Sequence, residues 1–434
     1  MNADRGRMVG AAEEESLLGS EPEALFPTPS SNQIPKDTFH LAYTAYFILG
    51  VGFLLPWNAF ANGIDYFAYI TPASMSTASS PLVRTNSGLA LYVLPLSTVP
   101  IIDLAYIKGR VDSGLALYVL SLSTVPIIDL AYIKGRVELF RGFYVDVAAV
   151  GLCGAAKPLV ESGVVGAAGE LPVRYMQATG AGQAASGVIV SLLRIITKAM
   201  YPHNASGLRR SANLYFGISI FVMLLCIICC YISEKLPVIR CYKHLKIIAK
   251  EEEEEKKKKK TQIHPIKSQW RSDMGKVASR VKWLAFARFL CFVVFSSIFP
   301  GHLTEDVHSP VLKDWHPIFL ITCFHVSNLL GTSLPAMYLI NNERSIFIAA
   351  VLRLVFYPLF LGCRNGPGFL KTELALATLT CLLGLSQGYF ATVPLILAPK
   401  KVPIQLAEEA GISMLFFTEF GLLIGSVASW LWII

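Results

Sequence analysis

The sequence predicts an all-α membrane protein of about eleven transmembrane helices, divided into a bundle of six and a bundle of five. The first observation is composition: of 434 residues, 53% are hydrophobic and only 16% are charged, with a mean hydropathy of +0.51. Soluble domains carry about 25% charged residues. The second observation is that the apolar residues form long runs, such as 214–232 and 374–398. A helix needs roughly 20 apolar residues to cross a bilayer, so these runs predict membrane spans.

Eleven spans follow, with a long polar segment between the sixth and the seventh. This segment, residues 234–282, holds 15 Lys and Arg against 7 Asp and Glu, and its net charge of +8 equals that of the whole chain. An excess of Lys and Arg marks the cytosolic side, so we expect the segment and the N-terminus in the cytosol and Ile434 outside. The predicted spans are 40–61, 87–107, 113–133, 145–167, 177–199, 213–232, 284–303, 317–340, 345–363, 374–397 and 411–433.

The predicted organisation has four parts. They are a cytosolic tail (1–38), a six-helix bundle (39–232), a basic cytosolic loop (233–282) and a five-helix bundle (283–434). In the loop, five glutamates at 251–255 precede five lysines at 256–260. Such charge runs can contact nucleic acid or acidic lipid, but they are more typical of a solvated, disordered linker. We therefore expect a disordered loop and no nucleic-acid partner.

A tandem duplication occupies residues 87–137. Residues 87–111 recur at 113–137 with a single change, Pro95 against Ser121. Repeat architectures have three or more diverged units, so two nearly identical copies indicate a recent exon duplication or an error in the gene model. Consecutive spans run antiparallel, so the basic ends of the two copies would face opposite sides.

The sequence shows no catalytic or metal-binding motif. Its eight histidines are scattered without metal-ligand spacing, and phosphate-binding and nucleophile-elbow motifs are missing. Nine cysteines lie mostly inside apolar runs, which argues against a disulfide framework. We therefore expect a protein that is not an enzyme and that needs neither a cofactor nor a metal.

Ionisable residues inside the apolar spans are the better indication of function, because burying charge in hydrocarbon is costly and such residues usually face a cavity. Lys157 and Glu161 share one helix face in the fourth span, Arg353 lies in the ninth, and Glu419 lies in the eleventh. Charge pairing within the bundle and a role with solute or protons are equally compatible with this pattern. Two further residues near span ends, Asp103 and Asp129, are expected to meet water.

The first span contains Pro56, which frees a backbone carbonyl, followed by Trp57 and Asn58. An aromatic face and an amide side by side would suit a nucleobase. Periodicity alone favours a packed tryptophan, so both interpretations stay open at this point.

Several stretches resemble the equilibrative nucleoside transporter family, and its plant branch in particular. These stretches cover most of the chain outside the tail, the duplication and the basic loop. They are GVGFLLPWN (50–58), GAAGELPVRYMQ (166–177), SLLRIITK (191–198), FPGHLTEDVHS (299–309), RLVFYPLFLGC (353–363), GLSQGYF (384–390) and GLLIGS (421–426).

The resemblance implies an eleven-helix fold of the major-facilitator type and alternating access for nucleosides, facilitated or proton-linked. It places substrate contacts at Trp57, at a glutamine position occupied here by Glu161, and in an eighth-helix stretch. In that stretch His325 replaces an asparagine, and Asn328 and Thr332 replace an acidic and a basic residue. Family members usually have an apolar residue at the position of Glu419.

These departures leave three expectations for function. A nucleoside transporter with weak uptake is favoured. A carrier of another small solute, such as an organic cation attracted by Glu161 and Glu419, and an inactive paralogue are the alternatives. Glu13, Leu17 and Leu18 fit an acidic dileucine signal for the vacuole, so the plasma membrane and the vacuolar membrane are both expected locations.

Overall fold

The computed structural model describes residues 35, 37–62, 110–135, 139–202, 204–258, 266–299, 312, 315–365 and 372–429. These residues are almost entirely helical. Ten helical segments among them are long and apolar enough to cross a membrane. The all-α membrane fold predicted from composition is therefore confirmed.

Five of these segments precede the basic region and form the N-terminal bundle. Each follows one of the apolar runs of the sequence. They are α1 (Leu41–Asn62), α2 (Arg110–Ile133), α3 (Leu139–Gly169), α4 (Val173–Met200) and α5 (Ala205–Lys235).

The C-terminal bundle follows a connecting helix, α6 (Pro237–Lys258), and supplies the other five segments. One of them is broken into α9 and α10 by a 3-10 turn at Arg353–Val355. The helices are α7 (Ile266–Ile298), α8 (His316–Ser333), α9 (Glu343–Leu352), α10 (Phe356–Asn365), α11 (Glu373–Lys400) and α12 (Ala407–Ala428).

The predicted spans agree with these helices to within a few residues at most ends. In the fourth span the membrane-crossing part is Ala148–Gly169, and in the seventh it is Val277–Ile298. The predicted second span at 87–107, the first repeat copy with Asp103, and residues 1–34 of the predicted tail lie outside the described residues. The second repeat copy forms α2, in the position expected for a third span.

Within each bundle the helices approach closely. In the N-terminal bundle α1 packs against α4 and α5, and α2 packs against α3 and α5; in the other bundle α7 packs against α11 and α12, and α8 against α11. Glycine makes the α1–α4 contact possible, because a Cβ on Gly50 would overlap the Thr179 carbonyl oxygen and one on Gly182 would overlap that of Phe47. Small residues at such interfaces allow the close approach on which membrane helix packing depends.

The prediction of a disordered linker is wrong for residues 237–258, which form α6. Pro237 occupies the first helical turn, where its missing N–H costs no hydrogen bond. Within this helix Glu252, Glu253 and Glu254 each precede a lysine by four residues, a spacing that favours helix. Val238 and Ile239 are buried, so the start of α6 also contributes to the core.

The expectation that Asp129 meets water is also wrong. Its side chain is buried and accepts hydrogen bonds from Arg209 Nε at 2.6 Å and from Asn213 Nδ2 at 2.8 Å. Both partners lie in α5, about 80 residues further along the chain. The predicted topology places Arg209 on the outer side, where basic residues are less common. Its ion pair with the buried Asp129 explains its presence there.

Candidate functional site

The two bundles meet mainly along two helix pairs, α3 with α12 and α4 with α8. Solute sites in carriers built from two bundles lie between the bundles, near the middle of the membrane. All of the residues predicted as site residues lie on α1, α3, α8 and α12. They divide into one group at the α3–α12 contact and another at the α4–α8 contact.

The centre of the α3–α12 contact holds three buried charged side chains. Lys157 donates a hydrogen bond to Glu419 Oε1 of the other bundle, and its ammonium lies 3.8 Å from Glu161 Oε2 of its own helix. Lys157, Glu161 and Glu419 are each no more than 5% exposed. The predicted pair Lys157–Glu161 is therefore present at its helical spacing, and the more direct partner is Glu419.

Trp57 joins this group from α1. Its ring is half-buried, and the Lys157 ammonium lies 5.6 Å from the ring centroid. A cation over the face of an aromatic ring is attracted by the ring quadrupole. We call Trp57, Lys157, Glu161 and Glu419 the central cluster. Beside Trp57, the Asn58 amide donates a hydrogen bond to Ser186 Oγ of α4 at 3.1 Å.

Sequence reasoning missed Arg288, whose side chain is only 1% exposed. It donates to Thr418 Oγ1 at 2.6 Å and to the Met414 carbonyl at 3.2 Å, both in α12, and also to the Ala391 carbonyl of α11. Its positive charge acts on both carboxylates of the central cluster. The signal was available, since Arg288 is an ionisable residue in an apolar run.

The second buried arginine, Arg353, was noticed in the sequence but stands apart from the central cluster. It donates to Gln387 Oε1 at 2.8 Å and to the Cys291 sulfur, joining the 3-10 turn to α7 and α11. It therefore connects helices within the C-terminal bundle, and pairing inside the bundle is the interpretation that its contacts favour.

The eighth-span residues lie at the α4–α8 contact. His325 faces Gly187, where an added Cβ would overlap the imidazole ring, and the ring lies edge-on to Phe299 at 5.5 Å. Thr332 is buried opposite Gly180, and its hydroxyl donates to the carbonyl of Asn328 at 2.8 Å. Asn328 is half-buried. These three residues belong to the helix that contacts α4, whereas the central cluster lies at the α3–α12 contact.

A third ionic group joins both bundles through α6. Lys246 donates to Glu170, which follows α3, and to Glu408 Oε2 of α12 at 2.7 Å. We call these three residues the Lys246 cluster. Burial disfavours the charged ammonium, but the carboxylates of Glu170 and Glu408 outweigh this and raise the pKa of Lys246. The cluster closes one end of the α3–α12 contact.

The arrangement can perform one kind of task well. Charged groups at the centre and at one end of the α3–α12 contact bind the bundles to each other, and ionic contacts of this kind can break and form as two packed bodies move. A half-buried aromatic ring beside the central charges offers a stacking surface to a planar solute. This geometry suits a carrier whose two bundles move relative to each other.

Comparison with protein families gives a match over about two thirds of the chain. A family model described as nucleoside transporter matches residues 147–434. Equilibrative nucleotide transporter 1 of Arabidopsis thaliana is 45% identical, covering 98% of this chain and 92% of the relative. Equilibrative nucleotide transporter 8 of the same plant is 37% identical, covering 92% and 97%. Equilibrative nucleoside transporter 3 of Rattus norvegicus is 27% identical, covering 96% and 93%.

Solved structures with a similar fold are major-facilitator transporters. The proton:xylose symporter XylE matches with a TM-score of 0.63 at 12% identity, covering 89% of this chain and 87% of that one. The transporter FucP in its outward conformation matches with a TM-score of 0.56 at 11% identity, covering 90% and 95%. At such low identity the likeness concerns the fold alone, and it confirms the major-facilitator architecture.

Proposed function

The chain belongs to the equilibrative nucleoside transporter family, as a plant-type member, and we propose that it carries nucleosides across a bilayer by alternating access. It is an integral membrane carrier and not an enzyme. The observation that supports this proposal most directly is the inter-bundle ion pair Lys157–Glu419 beside the half-buried Trp57 ring. The solute binds at this level, between the bundles, and the pair breaks and re-forms as the bundles move.

Each side chain of the central cluster has a role in this proposal. Trp57 stacks on the base, since base–aromatic stacking is favourable for every base. Asn58, which donates a hydrogen bond to Ser186, lies beside Trp57 and contacts the base edge. Glu161 lies one helical turn from Lys157, so its carboxylate pairs with the Lys157 ammonium when Glu419 moves away. A buried charge left without a partner would cost several kcal/mol, and this exchange avoids that cost.

Protons are the second species that we propose the protein transports. Glu161 and Glu419 share one ammonium, and Glu419 Oε2 is buried with no hydrogen-bond partner among the described residues. A proton on that oxygen would neutralise Glu419 and weaken its pull on Lys157. Proton binding at Glu419 then favours separation of α3 from α12, which couples solute movement to the proton gradient.

The neutral eighth-span residues limit uptake in this proposal. An acidic and a basic side chain could hold a ribose hydroxyl with charge-assisted hydrogen bonds, which are roughly twice as strong as neutral ones. Asn328 offers only neutral groups, and the Thr332 hydroxyl is already bonded within its helix. Asn328→Asp should therefore raise nucleoside uptake. Thr332→Arg is a poorer test, because Gly180 faces the Thr332 methyl group closely.

One observation favours a second candidate, carriage of an organic cation. The central cluster already holds an ammonium, that of Lys157, between two carboxylates and over an aromatic ring. An organic cation could occupy the same surroundings if Lys157 moved away. In that case Lys157→Ala would increase cation uptake by vacating the site.

Uptake of labelled adenosine, uridine and an organic cation into transport-deficient yeast tests both candidates. Nucleoside uptake that Trp57→Ala weakens supports the first proposal, and cation uptake that Lys157→Ala raises supports the second. Measuring nucleoside uptake at several external pH values, with and without a protonophore, tests the proton linkage. A rate of uptake that changes neither with the external pH nor with the protonophore would indicate facilitated diffusion.

The membrane is proposed to be the plasma membrane or the vacuolar membrane. Glu13 with Leu17 and Leu18 has the spacing of an acidic dileucine signal for the vacuole. A fluorescent fusion in plant cells distinguishes the two locations. If this motif works as a sorting signal, Leu17→Ala with Leu18→Ala moves the fusion from the vacuolar membrane to the plasma membrane.

A further inference from the structure

A second acidic group lies away from the central cluster, near the start of α3. Asp146 is 1% exposed, and neither of its carboxylate oxygens has a hydrogen-bond partner among the described residues. Eleven residues of helix, about 16 Å, separate it from Lys157. Asp146 also precedes the part of its helix that is long and apolar enough to cross a membrane, Ala148–Gly169.

The described neighbours of Asp146 supply no counter-ion. The charged group that acts on it is another carboxylate, Asp129 of α2. Asp129 occupies two donors of α5, Arg209 Nε and Asn213 Nδ2. The amide oxygen of Asn213 is itself buried and has no hydrogen-bond partner in the described part of the chain, so it adds one more acceptor and no donor. Lys134, which follows α2, is exposed.

No cation on the other described helices packed against α3, Arg194 of α4 included, acts on the Asp146 carboxyl. Helix α1 contains no charged residue. Helix α12 presents Glu419 to the middle of α3 and Glu408 to its far end, at Gly166. In α4, Lys198 lies over the ring of Trp315, 5.2 Å from its centroid.

A buried carboxylate in such surroundings does not stay ionised. Burying an unpaired charge is so costly that the group takes up a proton instead. Burial, together with the negative charge of Asp129, raises the pKa of the Asp146 carboxyl to about 7. Asp129 differs from Asp146 in that it accepts hydrogen bonds from two side chains, Arg209 and Asn213.

We propose that Asp146 is a proton-binding site of this protein, distinct from the central cluster, and that its proton stabilises the conformation described here. The bound species is a proton and not a metal ion. Among the described residues, no three His, Cys, Asp or Glu side chains are grouped as metal ligands. The site does not depend on the proposed solute, and its test needs none.

The direction of the pH effect follows from proton linkage. This conformation binds more protons than one in which Asp146 meets water, where its pKa returns towards 3.8. The conformation is therefore favoured at acidic pH, and the contribution is lost as the pH rises from that value through about 7. If the site opens to the outside, as the predicted topology implies, external acidity stabilises the state.

Thermal unfolding of the purified protein in detergent tests the proposal. Asp146→Asn mimics the protonated carboxyl, so at about pH 4, near the pKa of 3.8 of a carboxyl that meets water, its Tm should lie close to that of the wild type. At about pH 8, where the wild-type carboxyl is ionised without a partner, Asp146→Asn should unfold at least about 2 °C higher. The matched control is Asp129→Asn, which leaves Arg209 unpaired and should lower the Tm at both pH values.

Three outcomes would overturn the proposal. A Tm of Asp146→Asn that is lower than wild type at both pH values would mean that an ionised Asp146 makes a stabilising contact. A variant that fails to fold at the acidic pH would mean the same, since an isostere of the protonated group should be tolerated there. A wild-type Tm at the alkaline pH that rises when choline is replaced by Na⁺, and does so only with Asp146 present, would assign a metal cation to the site instead.

Discussion

The ammonium of Lys157 in α3 donates a hydrogen bond to Glu419 Oε1 in α12, so an ion pair joins the two bundles. Both side chains are almost completely buried. A buried pair contributes little net stability compared with apolar packing, but the loss of one partner is expensive. The value of such a pair in a carrier is therefore its ability to distinguish states in which the bundles touch here from states in which they do not.

The first prediction concerns this pair. Lys157→Met should destabilise the protein by about 3–5 kcal/mol, because both carboxylates then stay buried without the ammonium that they share. Glu419→Gln should cost less, because Glu161 can still pair with that ammonium. The double change should cost less than the sum of the two, as expected for residues in contact. Glu161→Gln should cost less than Glu419→Gln, since Glu161 lies 3.8 Å from the ammonium. Unfolding of the four variants in detergent measures these differences, and strictly additive effects would contradict the pairing.

The second prediction concerns Trp57. Trp57→Ala should raise the apparent KM for a nucleoside roughly 5- to 150-fold, which corresponds to about 1–3 kcal/mol of base–aromatic stacking. Trp57→Phe should keep much of the affinity, because a ring remains. The matched control is Trp283, an exposed tryptophan of α7 that lies edge-on to Phe347. Trp283→Ala should leave KM unchanged. If the two alanine variants, at normal surface abundance, changed KM equally, Trp57 would have only a packing role.

The sequence alone was sufficient for the helices and for local geometry. Apolar runs long enough to cross a bilayer became helices, and the spacing of Lys157 and Glu161 placed them on one face. The direct partner of Lys157, by contrast, is 262 residues away. That contact depends on how α12 docks against α3, and no local pattern in the sequence contains this information.

The two errors have different physical causes. The charge runs at 251–260 indicated a solvated chain, but glutamates four residues before lysines also favour a helix, and α6 extends to Lys258. Asp129 near a span end was expected to meet water, but Arg209 and Asn213 of α5 meet it instead. At Asp129 a tertiary contact therefore replaced the water that a polar residue would otherwise bind.

The third prediction concerns orientation. An epitope inserted at 259–265, next to the lysine run, should be protected from external reagents in intact cells, because basic segments stay in the cytosol. An epitope after Ile434 should be accessible. Permeabilised cells, in which both epitopes should react, provide the control. External labelling of the 259–265 epitope in intact cells would reverse the topology, and with it the assignment of the Asp146 end to the outside.

The last prediction concerns the Lys246 cluster, which closes the end of the α3–α12 contact opposite Asp146. Lys246 is 12% exposed and bonds to Glu170 and Glu408, whereas Lys243, one turn earlier on α6, is 49% exposed and pairs with the exposed Glu234 at 3.4 Å. Hydrogen bonds to charged groups contribute about 1.5–3 kcal/mol, while exposed pairs contribute about 0–1 kcal/mol. Lys246→Ala should therefore lower the unfolding temperature clearly, and Lys243→Ala should hardly change it.

A charge reversal separates attraction within this cluster from simple packing. Lys246→Glu places three carboxylates together and should be more harmful than Lys246→Ala, because like charges repel as well as lose their partner. Adding Glu408→Lys restores one pair between α6 and α12 and should recover part of the stability. Lys246→Ala and Lys246→Glu should also speed the labelling of a cysteine introduced at Val165. This position lies against Gly411 of α12, so it becomes accessible only when the bundles separate at this end. If Glu408→Lys gave no recovery in the Lys246→Glu background while Lys243→Ala proved as harmful as Lys246→Ala, the cluster would have no role in holding the two bundles together.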